Sequence, residues 1–202
     1  MFKNRILNKI KREYKEWRWR KTFKEFGRNS KLNRPLRIQG PKNISIGKEV
    51  RINDQTWLAA WPLTNKDYAR LIIGDHATLG DFNHIWATHQ IIIGKRVLTA
   101  NHVYISDNLH DYKDVNKAIV SQPIVQLSDV NIGDGAWIGE NVCIIGASVG
   151  KNSVIGANSV VTHDIPDYSV AVGSPAKVIK RYDFDLKKWR KTDSKGFFID
   201  EH

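Results

Sequence analysis

The chain has 202 residues, 41% of them hydrophobic and 26% charged, which is an ordinary composition for a globular protein with one main domain. No apolar run approaches the roughly 20 residues needed to span a bilayer, and the N-terminus lacks the apolar stretch of a secretory signal, so a cytoplasmic protein is expected. The formal net charge is +11, and residues 1–38 carry all of the excess, with 14 of the 32 Lys and Arg but 3 of the 21 acids. The remaining chain is neutral and has no recognised nucleic-acid-binding motif, which argues against a nucleic-acid partner.

Residues 1–38 are predicted to form a basic N-terminal helical arm. One apolar stripe with spacings of 4, 4, 4 and 3 contains Phe2, Ile6, Ile10, Tyr14 and Trp17. Further apolar residues follow at Trp19, Phe23 and Phe26. Two interpretations remain open. The helix caps the first turn of the following domain, or residues 1–30 make a peripheral contact with an anionic membrane surface or glycan.

Residues 39–180 are dominated by a repeat of six residues. Aliphatic or β-branched residues recur at Ile46, Ile52, Leu58, Ile73, Leu79, Ile85, Ile91, Ile93, Thr99, Ile105, Ile132, Ile138, Ile144, Val149, Ile155 and Val161. Gly directly follows the aliphatic position at eight of the 14 glycines. Six residues correspond to about 600° of α-helix, so the pattern cannot form a helical stripe. It predicts short strands joined by tight corners, with three hexads forming each coil of about 18 residues and the aliphatics pointing inward.

Two segments interrupt the repeat, residues 59–71 and residues 107–129. A loop as long as the second is usually functional or disordered, and this one begins with a histidine-bearing segment. An imidazole, whose ordinary pKa is about 6.5, suits removal of a proton from an attacking hydroxyl at neutral pH. The single cysteine, Cys143, lies between Val142 and Ile144, which favours packing in a strand over a reactive thiol.

The stretch Tyr-Ile-Ser-Asp-Asn-Leu-His-Asp-Tyr at 104–112, together with the hexads, resembles the hexapeptide-repeat acyltransferases that O-acetylate galactosides, maltose and bacterial surface polysaccharides. The resemblance implies a left-handed parallel β-helix, His110 as the general base, and trimers with active sites between neighbouring subunits. Many relatives have a first histidine where Asn108 stands. Asp107 is a candidate to orient His110 or to bind the substrate.

Two downstream segments are similar to the part of these enzymes that holds acetyl-CoA, namely residues 130–141 and residues 155–179. By position, Trp137 forms a wall of the active site, and the coenzyme-binding candidates are Ala157, Thr162, His163, Ser174, Lys177, Lys180 and Arg181. The small residues would contact the pantetheine arm, and the cations its phosphates. Relatives often have Lys in place of His163. The alternatives are a packing role for Trp137 and solvated charges at Lys180 and Arg181.

Candidates for binding the acceptor are Asn83 and His84, which lie in the coils before His110. Some proteins with this β-helix are zinc carbonic anhydrases, and His84 with His89 would form a plausible ligand pair. The coenzyme-like segments favour the acyltransferase, for which no metal is expected.

The sequence therefore predicts a mainly β fold with an N-terminal arm (1–38), a β-helix (39–180) and a short C-terminal tail (181–202). The predicted function is acetyl-CoA-dependent O-acetylation of a sugar hydroxyl of a surface polysaccharide or its precursor, by direct transfer in a homotrimer. The alternatives are N-acylation of an amino-sugar nucleotide and a non-catalytic β-helix scaffold. A location in the cytoplasm or at the inner membrane face is expected.

Overall fold

A computed structural model describes residues 13–193 and 196–199. In this part of the chain the backbone winds in successive coils, and each coil contains three short strands. An α-helix, α1, covers residues 13–22, and short 3-10 helices lie at Pro41–Asn43 and Ile119–Ser121. The first four coils contain β1 (Glu25–Phe26), β2 (Lys31–Leu32), β3 (Arg37–Gln39), β4 (Ile44–Ile46), β5 (Arg51–Ile52), β6 (Trp57–Ala60), β7 (Arg70–Ile73), β8 (Thr78–Leu79), β9 (His84–Ala87), β10 (Gln90–Ile93), β11 (Leu98–Thr99) and β12 (Tyr104–Ser106). A loop with β13 (Asn108–His110) and β14 (Ile124–Gln126) follows. The winding resumes with β15 (Val130–Ile132), β16 (Trp137–Ile138), β17 (Cys143–Ile145), β18 (Val154–Ile155), β19 (Val160–Val161) and β20 (Ser169–Val172), and β21 (Lys177–Asp183) and β22 (Lys188–Lys191) end it.

Equivalent strands of successive coils pair in parallel and form three faces. Face 1 contains β1, β4, β7, β10 and β15; face 2 contains β2, β5, β8, β11, β16, β18 and β20; face 3 contains β3, β6, β9, β12, β17 and β19. Parallel bridges from Val149 to Ile132 and to Ile165 continue face 1. The predicted fold class, a parallel β-helix, is confirmed.

The core is a continuous ladder of side chains inside the coils. Every aliphatic or β-branched position predicted to point inward is buried, and Ile46, Ile85 and Ile138 are completely inaccessible. Because each inward side chain stacks on its equivalents one coil away, the hexad is a packing unit as well as a chain period.

Coil length differs from the predicted 18 residues, and the difference between longer and shorter coils lies in the passage from face 3 to face 1. Before the 107–129 loop, paired residues are 20 apart, as for His84 and Tyr104, except where the insertion at 61–69 raises the spacing to 27, as for Trp57 and His84. In contrast, β16 and β18 pair at a spacing of 17. The buried Ile85 of face 3 and Ile91 of face 1 are six residues apart, whereas the buried Ile144 and Ala147 at the equivalent place in a shorter coil are three residues apart. The strands of face 1 carry two inward side chains, such as Ile91 and Ile93 in β10. This second inward position also accounts for the shift in the hexad register at residue 93.

Glycine serves the corners through close backbone approach. A Cβ on Gly74 would lie 2.7 Å from the carbonyl carbon of Gly94, on the next coil. The left-handed conformation is taken two residues further along, where His76 and Arg96 have φ of 61° and 54°. Gly74 is therefore required for space between coils, since neither it nor Gly94 has a positive φ.

Helix α1 closes the first end of the β-helix. Trp19 and Phe23 are buried in the core cluster, with ring centroids 5.7 Å apart, and Phe26 follows in β1. This arrangement agrees with the interpretation in which the N-terminal helix caps the first coil. The predicted arm boundary at residue 38 is wrong, because β1 to β3 already form a complete coil. No helix in residues 13–193 or 196–199 combines the length and apolarity required to cross a bilayer.

The predicted apolar stripe of the arm is not the face of α1 that packs. Tyr14 and Trp17 are 61% and 56% exposed and stack on each other at 5.9 Å. The remaining stripe positions, Phe2, Ile6 and Ile10, lie outside the described residues.

The last end of the β-helix is covered by an antiparallel hairpin. Strand β21 pairs with β20 and then with β22, so the predicted start of the tail at residue 181 falls inside a strand. The buried Asp183 accepts backbone N–H bonds from Leu186 and Asp185 and binds Arg190 at 2.9 Å. The bonds from Leu186 and then Arg190 lower the pKa of this carboxyl, so it stays ionised and holds the hairpin turn.

Candidate active site

Loop 107–129 leaves the β-helix after β12 and contains the antiparallel ribbon of β13 and β14. The register places Asn108 opposite Gln126 and His110 opposite Ile124. His110 is exposed, at the end of β13 that lies farther from the coils. The ribbon thus presents an accessible imidazole outside the body of the β-helix.

Asp107, at the base of this loop, is completely buried. Its Oδ1 accepts hydrogen bonds from the Thr88 backbone N–H at 2.7 Å and from the Thr88 hydroxyl and the Asn108 amide at 3.0 Å. Its Oδ2 accepts from the backbone N–H groups of His89 and Gln90 at 2.7 and 2.8 Å. Because both oxygens are occupied, the expectation that Asp107 binds substrate or orients the loop histidine is wrong. The carboxylate fastens the loop to the corner at residues 88–90.

Asn83 is also buried, which contradicts its predicted contact with the acceptor. Its amide donates to the Thr99 hydroxyl at 2.5 Å, and its Oδ1 accepts from the Val103 backbone N–H at 2.7 Å. Asn83 therefore joins two coils inside the corner between faces 2 and 3.

His84 lies in an aromatic cluster on the outer side of face 3. Its ring stacks on Trp57 at 4.2 Å and contacts Trp86 and Tyr104 edge-on at 5.7 and 5.2 Å. Burial lowers the pKa of His84, so the imidazole is neutral at pH 7. The Nε2 of His84 and the Nε1 of Trp86 are buried without a hydrogen-bond partner among the described residues.

His84 and His89, the ligand pair of the zinc alternative, have separate surroundings. The His89 Nδ1 lies 2.6 Å from the Asp129 Oδ1 and the His89 ring packs against Tyr68 at 4.7 Å, whereas the His84 ring stacks on Trp57. Within residues 13–193 and 196–199, no three His, Cys, Asp or Glu side chains converge in a geometry that could hold a metal ion.

Three predicted coenzyme-binding residues come together in a cleft of about 360 Å³ near the last coil. His163, Lys177 and Arg181 line it, and the His163 Nδ1 lies 3.0 Å from the Thr162 hydroxyl. The cleft opens at the edge where face 3 turns into face 1. Loop 107–129 leaves from the same edge two coils earlier, a separation of about 10 Å along the axis at about 4.8 Å per coil.

Trp137 and Lys180 lie on another surface, the outer side of face 2. The register runs from Trp137 to Val154, then Val170, then Lys180, and Trp137 is 50% exposed. Three strand spacings place the two ends about 14 Å apart. The exposed Ala157 and Ser174 lie in the turns that leave the last strands of this face. Because face 2 lies opposite the edge that carries His110, one chain does not bring all the predicted site residues together.

Residues 129–163 match the family model described as the hexapeptide repeat of succinyl-transferase. The six-residue repeat of this chain is therefore a hexapeptide repeat of the kind that this family model describes. A probable acetyltransferase of Mycobacterium tuberculosis is 39% identical over 138 residues, or 68% of this chain. A putative lipopolysaccharide biosynthesis O-acetyl transferase of Escherichia coli K12, WbbJ, is 35% identical over 128 residues, or 60% of this chain. The matches span 44% and 65% of the length of these relatives.

A solved structure extends the hexapeptide-repeat comparison to a coenzyme complex. It is a hexapeptide-repeat containing acetyltransferase from Vibrio cholerae O1 biovar eltor, complexed with acetyl-coenzyme A. The TM-score is 0.54 at 25% identity, and the alignment covers 82% of this chain and 74% of that protein. The predicted resemblance to hexapeptide-repeat acyltransferases is therefore confirmed.

Proposed function

We propose that this protein is an acetyl-CoA-dependent O-acetyltransferase that acts on a sugar hydroxyl of a bacterial surface polysaccharide or its precursor. The observation that carries the proposal is the exposed His110 on a ribbon that leaves a hexapeptide β-helix at the same edge as the cleft lined by His163, Lys177 and Arg181. The relative named as a lipopolysaccharide biosynthesis O-acetyl transferase supports the acceptor class.

In this reaction His110 acts as the general base. Its imidazole removes the proton of the sugar hydroxyl as the oxygen attacks the thioester carbonyl of acetyl-CoA. The C–O bond forms, the C–S bond breaks, and the imidazolium returns its proton to the departing thiolate of coenzyme A. No acyl-enzyme is required, so donor and acceptor must be bound together.

The coenzyme lies along the surface from Trp137 to Lys180, with its phosphates near Lys180 at the end of this surface. Lys177 and Arg181, from the same strand β21, line the neighbouring cleft and add positive charge to that end of the chain. The separation of about 14 Å between Trp137 and Lys180 suits an extended pantetheine arm between a reacting end and a phosphate end. Guanidinium and ammonium groups are the usual partners of such phosphates.

The active form is a homotrimer with each site between two subunits. The supporting geometry is the placement of His110 and the His163 cleft on one edge and of Trp137 and Lys180 on the opposite face. A heterologous contact that repeats around a threefold axis sets the edge of one chain against face 2 of the next. Such a contact unites the two halves of the site.

The exposed pair of Tyr14 and Trp17 supports peripheral contact of the N-terminal arm with an anionic membrane. The Lys21 ammonium lies 6.0 Å from the Trp17 ring, so the exposed aromatic surface of α1 also carries positive charge. Aromatic and cationic side chains on one helix surface suit the headgroup region of a bilayer. The protein would then act in the cytoplasm at the inner membrane face.

The test is release of free thiol from acetyl-CoA in the presence of a panel of sugars and purified glycans. We expect release that depends on a glycan hydroxyl, and a fall in turnover of about 10²-fold or more in His110→Ala. His102→Ala is the matched control, since His102 is likewise exposed but lies at a corner stacked on Phe82 at 4.8 Å.

The product distinguishes the alternatives. An O-acetyl ester is cleaved by hydroxylamine, whereas the amide made by an N-acyltransferase resists it. Glycan-independent release, or full activity of His110→Ala, would contradict the proposed reaction, and absence of any release would favour a scaffold.

A further inference from the structure

The corner at residues 88–89 lies between the two interruptions of the repeat. All three segments join face 3 to face 1 on successive coils, with residues 61–69 before this corner and loop 107–129 after it. Both interruptions contact it. The ring of Tyr68 packs against His89 with centroids 4.7 Å apart, and Asp107 and Asp129 bind it from the two ends of the longer loop.

The contact at the returning end is a hydrogen-bonded pair of ionisable groups. The His89 Nδ1 lies 2.6 Å from the Asp129 Oδ1, and the side chains are 16% and 36% exposed. The second oxygen of Asp129 accepts from the Gln90 amide at 3.2 Å, and Gln90 in turn accepts from the Arg70 guanidinium. Because a carboxylate can only accept hydrogen bonds, the Nδ1–H group of His89 is the donor in this pair. Asp129 is therefore held by two side chains of the preceding coil.

The ribbon depends on such contacts for its orientation. A two-stranded ribbon has little stability of its own. Asp107 fixes the point at which the loop leaves the body, and Asp129 is the last residue before β15, where the loop returns. His110 lies three residues beyond Asp107, at most about 10 Å along an extended chain. A change at either end of the loop, at Asp107 or at Asp129, therefore moves the imidazole relative to the coils.

We propose that His89 and Asp129 are positioning residues for His110. Their hydrogen bond fixes the returning end of loop 107–129 to the β-helix and thereby holds the imidazole in its reactive place. The proposal rests on the proposed function for its catalytic readout. It assigns to His89 a role in loop placement, in place of the zinc ligand that the sequence offered as an alternative.

The test compares Asp129→Asn and His89→Gln with wild type in the intact protein. We expect kcat for the glycan-dependent reaction to fall on the order of 10-fold, because small displacements of reacting groups are costly. The KM for acetyl-CoA should stay within about twofold, since the coenzyme surfaces are elsewhere. Asp129→Glu keeps the carboxylate and should retain more activity than Asp129→Asn. His76→Gln is the matched control, because His76 pairs with Glu49 at 3.2 Å on an exposed corner without a loop.

A second readout reports the loop directly and needs no catalysis. Lys113 and Lys117 are exposed trypsin sites in the loop, so release of its base should raise cleavage there several-fold while the melting temperature stays near that of wild type. Unchanged cleavage in both variants would overturn the proposal, even if kcat fell. Cleavage throughout the chain with a large loss of thermal stability would also overturn it, because the pair would then support the fold as a whole.

The two readouts separate failure of this proposal from failure of the proposed function. If wild type lacks transferase activity but Asp129→Asn raises cleavage in the loop, the proposed acetyltransferase function is refuted. The role of the His89–Asp129 hydrogen bond in fixing the loop then still stands. Active enzyme with unchanged kcat in both variants would refute the positioning role alone.

Discussion

Replacing Asp107 with Asn should loosen the base of loop 107–129 because the buried carboxylate accepts hydrogen bonds at both oxygens. An amide keeps one acceptor oxygen and places an NH2 group at the other position. If that group replaces Oδ2, the backbone N–H donors of His89 and Gln90 lose their acceptor. If it replaces Oδ1, the donors of Thr88 and Asn108 lose theirs. The first orientation leaves two backbone donors without an acceptor. The second leaves the buried Thr88 N–H and one N–H of the partly buried Asn108 amide without one, while the Thr88 hydroxyl can still donate to Gln126.

Each unsatisfied buried donor costs about 1–3 kcal/mol, so two donors cost about 2–6 kcal/mol. A neutral amide avoids the desolvation cost of a buried carboxylate, which reduces the loss. We therefore expect Asp107→Asn to lower the free energy of unfolding by about 2–4 kcal/mol. The measurement is urea unfolding at one fixed protein concentration, since association of subunits adds to apparent stability.

The control for Asp107→Asn is Asp134→Asn. Asp134 lies on an exposed corner and its Oδ1 accepts one backbone N–H, from Lys95 at 2.7 Å, which the amide oxygen can still accept. We expect its effect to stay within about 0.5 kcal/mol. If Asp107→Asn were equally neutral, the donors around Asp107 would not depend on its carboxylate, and the account of the loop base would be refuted.

Two further predictions concern His84 and α1. Burial lowers the pKa of His84, so the unfolded chain takes up a proton near pH 6.5 that the folded chain does not, and stability is lost as the pH falls below that value. His84→Phe should reduce the loss of melting temperature between pH 7 and 5.5; an unchanged difference would contradict this. The double variant Tyr14→Ser, Trp17→Ser should lower sedimentation with anionic vesicles at low salt, with Tyr112→Ser, on the loop, as control. Equal vesicle binding by wild type, the double variant and Tyr112→Ser would refute membrane contact by α1.

The fold was predictable from the sequence because its main signal is local. An inward aliphatic every six residues specifies the packing of each short strand, and the positions are buried from Ile46 to Val161. The coil length was harder to predict, because the second inward residue of each face 1 strand, such as Ile91, disturbs the hexad count, and because the passage from face 3 to face 1 differs in length between coils.

The buried position of Asn83 was also present in the repeat. It is the fifth residue of the hexad that begins at Leu79, and the corresponding Ala77, Val103 and Val142 are all buried. The position of Asn83 in the hexad, considered before its polar side chain, would have predicted that it is buried inside the β-helix. Its amide is tolerated there because it binds Thr99 and the next coil.

The pairing of His89 with Asp129 could not be predicted from the sequence. The two residues are 40 positions apart, and a 23-residue loop leaves and returns between them. Hexad spacing specifies which side chains point inward but gives no register for an inserted loop. The same limit applies to Asp107, whose five donors come largely from the neighbouring coil.

A β-helix restricts where chemistry can be placed. Inward positions are committed to the ladder of aliphatics, so polar function is left to outward side chains, corners and insertions. In this chain the exposed His110 and the cleft lined by His163, Lys177 and Arg181 share an edge, whereas Trp137 and Lys180 occupy the opposite face. A rigid three-sided body cannot bend its edge onto that face. Joining the two halves of the proposed site therefore requires a second copy of the chain, which is the reason for proposing a homotrimer, and in this proposal Asp107 and Asp129 hold the loop from which His110 extends toward the second copy.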